Sequence, residues 1–199
     1  MTKTDRRVQR TCELLHKALI DLIHERSYDA ITIQDIVDRA NVGRTTFYLH
    51  YNSKDDLFIG CHEAVVSKFH FGPQYPLSRE ELLSPEAPPG MIAAYRHLEE
   101  VRAVLNRIVQ GKDGLLILRR IRDWRAQTIE TSLRAAFAEA DCSIPFNLLV
   151  DYLAGAQTAL MQRWLEKRQQ PYTPENLAQA FHRLQRAAIR DAFGLAGGE

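Results

Sequence analysis

The chain has 199 residues, of which 45% are hydrophobic and 26% are charged, and its formal net charge is +1. This composition is typical of a globular protein with a real core and excludes a fibrous or largely disordered chain. The near-neutral charge gives the molecule no overall attraction to nucleic acid, so any affinity for DNA must come from local charge placement.

The sequence predicts neither a membrane span nor an export signal. Apolar runs such as residues 115–118 are far shorter than the ~20 residues that cross a bilayer, and residues 1–10 are polar and charged. We therefore expect a cytoplasmic protein. The three cysteines, Cys12, Cys61 and Cys142, are odd in number and widely spaced, which argues against a disulfide framework and against a cysteine-based zinc site.

The first predicted element is an amphipathic helix. Apolar residues recur at steps of three and four between Val8 and Ile23, which places them on one helical face. Within the first ten residues, four basic residues are accompanied by a single acid: Lys3, Arg6, Arg7 and Arg10, with Asp5. They form either a basic arm that meets phosphates or a solvated terminus, and the sequence leaves both interpretations open.

Two short helices joined by a tight turn are predicted next. Thr32 precedes Asp35 by three positions, a spacing that resembles a capping box at the start of a helix. This helix ends at residues 41–43, Asn-Val-Gly, where Asn and Gly tolerate a left-handed backbone. The following segment, residues 44–51, is too short to be a stable helix alone and needs support from the other two.

The rest of the chain also has helical patterns. Ser53 is a suitable N-cap for a long helix, and five of the eight prolines fall within residues 71–90, which predicts an irregular loop with one helical turn near residues 80–83. The later helices are predicted, in chain order, over residues 98–108, 118–137, 145–167 and 173–188. Because no strand pattern is present, we expect an all-α fold.

The third short helix carries the side chains that recognition of a duplex requires. A helix ~10–12 Å across fits a major groove ~12 Å wide. Arg44 can donate two hydrogen bonds to guanine, and Thr45 and Thr46 can contact phosphate or a thymine methyl group. The residues expected to reach the DNA backbone are Tyr48, His50 and Lys54.

Residues 32–57 resemble the DNA-binding region of TetR/AcrR-family transcriptional regulators. The most diagnostic part is the pattern Thr-Phe-Tyr-x-His-Tyr-x-x-Lys-x-x-Leu, which ends at Leu57. The resemblance extends over residues 7–58 and is only architectural beyond them. It implies a three-helix helix-turn-helix DNA-binding domain over residues 5–53 and a larger helical effector-binding and dimerisation domain over residues 54–199.

The same resemblance implies a function and a set of DNA contacts. The protein is expected to be a sequence-specific homodimeric regulator, in the leading hypothesis a repressor released from a palindromic operator by a small-molecule effector. The implied phosphate contacts are Thr32, Tyr48, His50 and Lys54, and the implied base-edge contacts are Arg44, Thr45 and Thr46. Phe47 and Tyr51 are interpreted as core residues.

The helical body offers weaker candidates. The aromatic residues that we expect either to line an effector pocket or to belong to the ordinary core are Tyr95, Trp124, Phe137 and Tyr152. The basic run 119–125 fits either a pocket for an acidic effector or, as we favour, a solvated helix face. The expected dimer-interface residues, for which ordinary core is again the alternative, are Leu153, Ala156, Leu160, Trp164, Phe181 and Leu184.

Other functions receive less support from the sequence. His62 and His70 are eight residues apart, about two helical turns, so we expect no metal site. We find no nucleophile elbow, phosphate-binding glycine loop or recognisable acid pair, and we expect neither an enzyme nor a cofactor. A helical adaptor that binds protein stays open, as does a regulator without a small ligand. An adaptor would lack the steep salt dependence of phosphate contacts.

Overall fold

The computed structural model describes residues 3–112, 114–166 and 172–195. Over these ranges the regular structure is helical, with no β-strand and one β-bridge between Gly72 and Tyr75. The all-α fold is therefore confirmed. The α-helices are α1 (Lys3–Glu25), α2 (Ile33–Ala40), α3 (Arg44–Tyr48), α4 (Lys54–Val66), α5 (Arg79–Leu83), α6 (Pro89–Glu100), α7 (Arg102–Val109), α8 (Gly114–Ala136), α9 (Phe146–Glu166) and α10 (Pro174–Ala192).

The chain forms two compact units that differ from a simple division along the sequence. The first unit comprises Met1–Ala64 and Ala103–Ile117, and the second comprises Val65–Arg102 and Leu118–Glu199. Residues 103–117 thus pack with the N-terminal helices. The expected division of function between residues 53 and 54 is a separate matter and stays a prediction.

The core of the first unit comes from the apolar faces of α1 to α4. The fully buried members include Leu15, Leu19, Leu22, Ile23, Ile36, Phe47 and Leu57.

Helix α1 begins at Lys3, so the prediction of a start at Val8 was wrong by about a turn. The reason is that the helix residues before Val8 are polar and that Arg6 and Arg7 are exposed, so amphipathic periodicity does not detect this helical turn.

The connection between α2 and α3 is fixed by local hydrogen bonds. The Thr32 hydroxyl accepts a hydrogen bond from the Asp35 backbone N–H, and the Asp35 carboxylate accepts one from the Thr32 N–H, which completes the predicted capping box. Asn41 then adopts the left-handed conformation, at φ 52° and ψ 49°. The Val42 N–H donates to the Val37 carbonyl at 3.0 Å, and Gly43 leads in extended conformation into α3.

Residues 103–112 are held to the first unit by polar contacts as well as by burial. The Arg107 guanidinium donates to the Ile23 carbonyl at 3.3 Å, and the Lys112 backbone N–H donates to the Asp29 carboxylate at 2.7 Å.

A single helix was expected over residues 98–108. The structure corrects this to two helices, because Val101 leaves helical geometry at φ −96° and ψ 9°.

The second unit is built on α5, α6 and α8 to α10. One cluster of its core contains Leu133, Leu149 and Ile189, all almost completely buried. In the same cluster the rings of Phe137 and Phe193 stack with their centroids 4.4 Å apart. Ser78 and Glu81 form a second capping box that starts α5, the helical turn expected inside the proline-rich segment.

The left-handed turn predicts a specific mutational pattern at Asn41. Replacement by alanine should lower the free energy of unfolding by about 1 kcal/mol, since a Cβ disfavours this backbone region and alanine lacks the amide of Asn. Asn41→Gly should stay within about 0.5 kcal/mol of the parent. Denaturant unfolding measures the free energy of unfolding of both variants. An alanine variant as stable as the glycine variant would contradict the left-handed backbone at Asn41.

Candidate nucleic-acid interface and helical body

Helix α3 presents one face to the core and one to solvent. Phe47 is fully buried, whereas Tyr48 is 46% exposed. Arg44 and Thr45 are exposed at the start of the helix and Thr46 is half-buried. The three candidate base-contacting residues therefore lie together at the N-terminal end of α3, next to the turn that Asn41 forms.

Arg44 and Tyr48 are neighbours one helical turn apart. The Arg44 guanidinium carbon lies 5.8 Å from the centroid of the Tyr48 ring, and its Nη2 lies 3.4 Å from the Tyr48 hydroxyl oxygen. Such a contact between a guanidinium and an aromatic ring is weakly attractive at an exposed site. It orients the guanidinium along α3 while its remaining N–H donors stay available to an acceptor outside the chain.

Several other basic residues of this unit are neutralised by carboxylates. The Arg39 guanidinium donates bidentate hydrogen bonds to the Glu25 carboxylate at 2.8 and 2.7 Å, which lower the pKa of that carboxyl. Arg26 pairs with Asp35 at 3.0 Å. Because these pairs cancel locally, positive charge remains at the start of α3 with Arg44 and along the first turns of α1 with the exposed residues Arg6, Arg7 and Arg10.

Lys54 has a role inside the protein. Its ammonium group donates to the backbone carbonyls of Tyr28 at 2.6 Å and Ile31 at 2.9 Å, and it lies 4.2 Å from the centroid of the Tyr28 ring. The Tyr28 hydroxyl in turn donates to Asp55 at 2.7 Å. Lys54 thus ties the start of α4 to the segment that precedes α2, and contact with a phosphate stays a prediction for it.

The other candidates for contact with the DNA backbone differ in how far their polar groups are already engaged inside the protein. The exposed Thr32 uses its hydroxyl in the capping box. His50 is half-buried beside Tyr51, with ring centroids 6.5 Å apart. Tyr51, expected in the core, is half-buried, and its hydroxyl lies 2.7 Å from Nε2 of His16. Burial raises the pKa of Tyr51 and lowers that of His16, so this pair is neutral.

Sequence reasoning missed Leu49, whose side chain is 76% exposed just after α3. An apolar side chain exposed beside Tyr48 suits contact with a thymine methyl group or with sugar carbons. The available signal was its phase: Leu49 follows the buried Phe47 by two positions, which on a helix turns it away from the core.

The predicted pocket residues do not all meet. A cavity in the second unit is lined by Trp124, and Tyr95 is buried beside it, where its hydroxyl oxygen accepts a hydrogen bond from Gln157 at 3.1 Å. Phe137 lies in the core stack with Phe193, and Tyr152 is 63% exposed. Neither of the last two lines the cavity.

The basic run 119–125 divides between two environments. Arg119 and Arg122 are exposed, as a solvated helix face requires, and Arg122 pairs with Asp123 at 2.8 Å. Arg125 is buried, with 4% of its surface exposed, and lines the same cavity as Trp124.

The candidate interface residues of α9 and α10 also divide into two groups. Leu160 and Leu184 are exposed and Ala156 is half-buried, whereas Leu153, Trp164 and Phe181 are buried in the core of the chain itself. Two further exposed apolar residues of α9, which the sequence reasoning did not select for this surface, are Leu148 and Tyr152.

Two general observations apply to the described residues. No helix there has both the length and the apolar character that a bilayer crossing requires. Their side chains form no group of three or more His, Cys, Asp or Glu residues placed to hold a metal ion.

Comparison with known proteins matches the N-terminal stretch of the first unit to a known family. Residues 15–61 match the family described as bacterial regulatory proteins, tetR family. An uncharacterized HTH-type transcriptional regulator of Bacillus subtilis (strain 168), YxbF, is 50% identical over 54 residues. That stretch is 27% of this chain and 14% of the relative's length, so the match concerns the DNA-binding module.

Solved structures resemble the chain over most of its length. A TetR transcriptional regulator from Streptococcus agalactiae 2603V is 26% identical with a TM-score of 0.55, and the alignment covers 92% of this chain and 97% of that one. The dihydroxyacetone kinase operon activator DhaS is 13% identical with a TM-score of 0.56, at 92% and 96% coverage. The DhaS likeness concerns the fold alone.

The position of Lys54 predicts a loss of stability when its charge is removed. Lys54→Met keeps most of the apolar stem but removes the ammonium donor from the Tyr28 and Ile31 carbonyls, so the free energy of unfolding should fall by about 1–3 kcal/mol. The control Lys17→Met removes an exposed pair with Asp21 and should change it by less than about 1 kcal/mol. Denaturant unfolding gives both values, and a Lys54→Met variant as stable as the parent would contradict the internal role of the ammonium group.

Proposed function

We propose that this chain, which belongs to the TetR family of DNA-binding transcriptional regulators, is a homodimeric repressor that binds a palindromic operator and is released by a small molecule. The observation that carries the DNA-binding part is the exposed face of α3. Arg44, Thr45 and Tyr48 project from a helix whose other side is anchored by Phe47, within the residues that match the family.

In the proposed complex α3 lies in the major groove. Arg44 donates a pair of hydrogen bonds to O6 and N7 of a guanine, a contact that contributes about 1–3 kcal/mol of discrimination. Thr45 and Thr46 contact neighbouring base edges. Leu49 adds an apolar contact at the other end of the helix.

Phosphate contacts position this reading helix. Thr32, Tyr48 and His50 are the proposed backbone contacts, because they surround α3 and retain at least partial exposure. Lys54 supports them by fixing the Tyr28 to Ile31 segment, and it is itself proposed as a further phosphate contact. Since one unit carries little net charge, two linked reading heads are needed for high affinity.

The proposed dimer surface lies on α9 and α10. Its members are the exposed apolar side chains Leu148, Tyr152, Leu160 and Leu184 together with Ala156. Contiguous exposed apolar surface is costly unless a partner covers it. Gly155 leaves open space where a Cβ would stand, so a second helix can approach α9 closely. An isologous dimer of this kind matches the symmetry of a palindrome.

Release by an effector follows from population shift. The small molecule must bind the conformation that does not fit DNA more tightly, and a ~10⁴-fold preference converts a mostly bound population into a mostly free one.

Selection of bound duplexes from a random pool tests the DNA-binding proposal. The parent protein should enrich a two-fold symmetric motif, and both Arg44→Ala and Tyr48→Ala should lose it, since they remove the base contact and its neighbour. Arg122→Ala, which removes an exposed arginine from the second unit, is the matched control and should enrich the parent motif.

Salt dependence separates this proposal from a protein-binding adaptor. Affinity for the enriched duplex should fall steeply as salt rises, because binding releases counterions from the phosphates it contacts. No enrichment at low salt would contradict DNA binding and redirect attention to a protein partner.

The dimer surface predicts a change of mass in solution. Tyr152→Asp combined with Leu184→Asp places two charges on the proposed interface and should convert the dimer to a monomer in light scattering coupled to size-exclusion chromatography. Leu115→Asp, at a position 84% exposed in the first unit, is the control and should stay dimeric. A doubly substituted protein that stays dimeric would place the interface elsewhere.

A further inference from the structure

The second unit contains a small cavity that combines apolar and polar walls. The space between its walls measures about 340 Å³, a figure that includes open solvent at its mouth. Its apolar wall includes Phe71, Leu77, Met91, Trp124 and Ile129, and its polar wall includes Arg125, Thr128, Ser132, Gln157 and Gln185. The Phe71 and Trp124 rings meet edge to face with centroids 6.4 Å apart.

Arg125 is the unusual member of this wall. Its guanidinium is buried, its Nε has no hydrogen-bond partner, and one Nη group faces the Met161 sulfur at 2.7 Å, a weak acceptor. The guanidinium also hydrogen-bonds the Tyr95 hydroxyl, but this partner carries no charge, because burial raises the pKa of Tyr95. Among the described residues, no carboxylate forms a salt bridge with Arg125.

A buried guanidinium without a counter-charge is costly. Removing a charge from water carries a penalty of several kcal/mol, which an ion pair or a full set of hydrogen bonds normally offsets. Burial lowers the pKa of Arg125, yet arginine is basic enough to stay protonated. A buried, charged guanidinium without a counter-charge at a cavity wall is a candidate anion-binding group, since an incoming anion would supply the missing counter-charge.

We propose that this cavity binds a small organic carboxylate whose charged group pairs with Arg125 and whose apolar part lies against Phe71 and Trp124. The mixed lining favours this class over an inorganic anion, which would leave the apolar wall uncovered. Gln157 and Gln185, both buried at the cavity, are placed to hydrogen-bond the carboxylate or a nearby polar group. The role of this acid as the operator-releasing effector rests on the proposed function, whereas its binding does not.

The other polar wall residues are already engaged inside the protein. The Ser132 hydroxyl accepts from the Leu77 N–H and donates to the Thr128 carbonyl, each at 3.0 Å. The Thr128 hydroxyl donates to the Trp124 carbonyl at 3.0 Å. These bonds fix the wall, so the specificity for a negative charge comes from Arg125.

Binding of matched probes to the full-length protein tests the site. Benzoate and butyrate are titrated calorimetrically beside their neutral isosteres, benzamide and butyramide. At least one acid should bind about tenfold or more tightly than its amide, because only the acid forms a charged pair with Arg125. If neither acid is preferred to its amide, the proposal is overturned.

Substitutions assign any preference to Arg125. Arg125→Met should abolish it and leave the Tm equal or higher, since the unpaired buried charge is gone. Arg125→Lys should bind the acid more weakly than the parent and still prefer it to the amide, because the charge remains without the two-pronged geometry. Arg122→Met, on the exposed face of the same helix, is the control and should bind as the parent does. An Arg125→Lys variant with unaltered binding, or an Arg125→Met variant that keeps the preference, would refute the assignment.

Operator affinity measured with and without the preferred acid separates the two proposals. Acid binding without any effect on DNA affinity leaves the anion site intact and contradicts release by this ligand. An intact operator interaction with no preference for acids overturns the anion site alone.

Discussion

The proposed DNA-reading surface depends on one constraint, which is that a helix of five residues is not stable alone. Nucleating a helix fixes several backbone torsions for a single hydrogen bond, so a segment as short as α3 must be stabilised by its surroundings. Phe47 supplies the anchor by complete burial, and the left-handed Asn41 fixes the direction from which α3 emerges. Lys54 braces the segment before α2 from the other side. The polar face of α3 is therefore presented by a rigid support.

Within the described parts of both units, some arginines are paired with carboxylates while others are not. In the first, carboxylates neutralise Arg39 and Arg26, so a near-neutral module still offers a positive end at α3. In the second, Arg122 is paired and exposed, whereas Arg125 is buried with no carboxylate partner among the described residues. Three positions on one helix separate a solvated charge from a buried one. Net charge alone would have revealed neither situation.

The fold was largely predictable because helical periodicity, capping residues and the Asn-Val-Gly turn are local signals. The start of α1 and the break at Val101 were not, since polar helical turns and small backbone deviations leave no trace in an apolar pattern. Side-chain roles were harder still. Residue type does not tell an apolar side chain that is buried in its own core, such as Trp164, from one that is exposed, such as Leu160. The internal bonds of Lys54 depend on carbonyls more than twenty positions away.

Because residues 103–117 pack in the first unit, they affect how fragments and chimeras of such a protein should be designed. The N-terminal module is assembled from two stretches of chain with a long insertion between them, and Asp29 is bonded to Lys112 across that gap. A fragment cut after α4 would expose the surface that α7 covers, and a chimera that exchanges only the first 64 residues would pair one protein's α1 with another's α7. Reading heads transplanted between such regulators should therefore carry both stretches together.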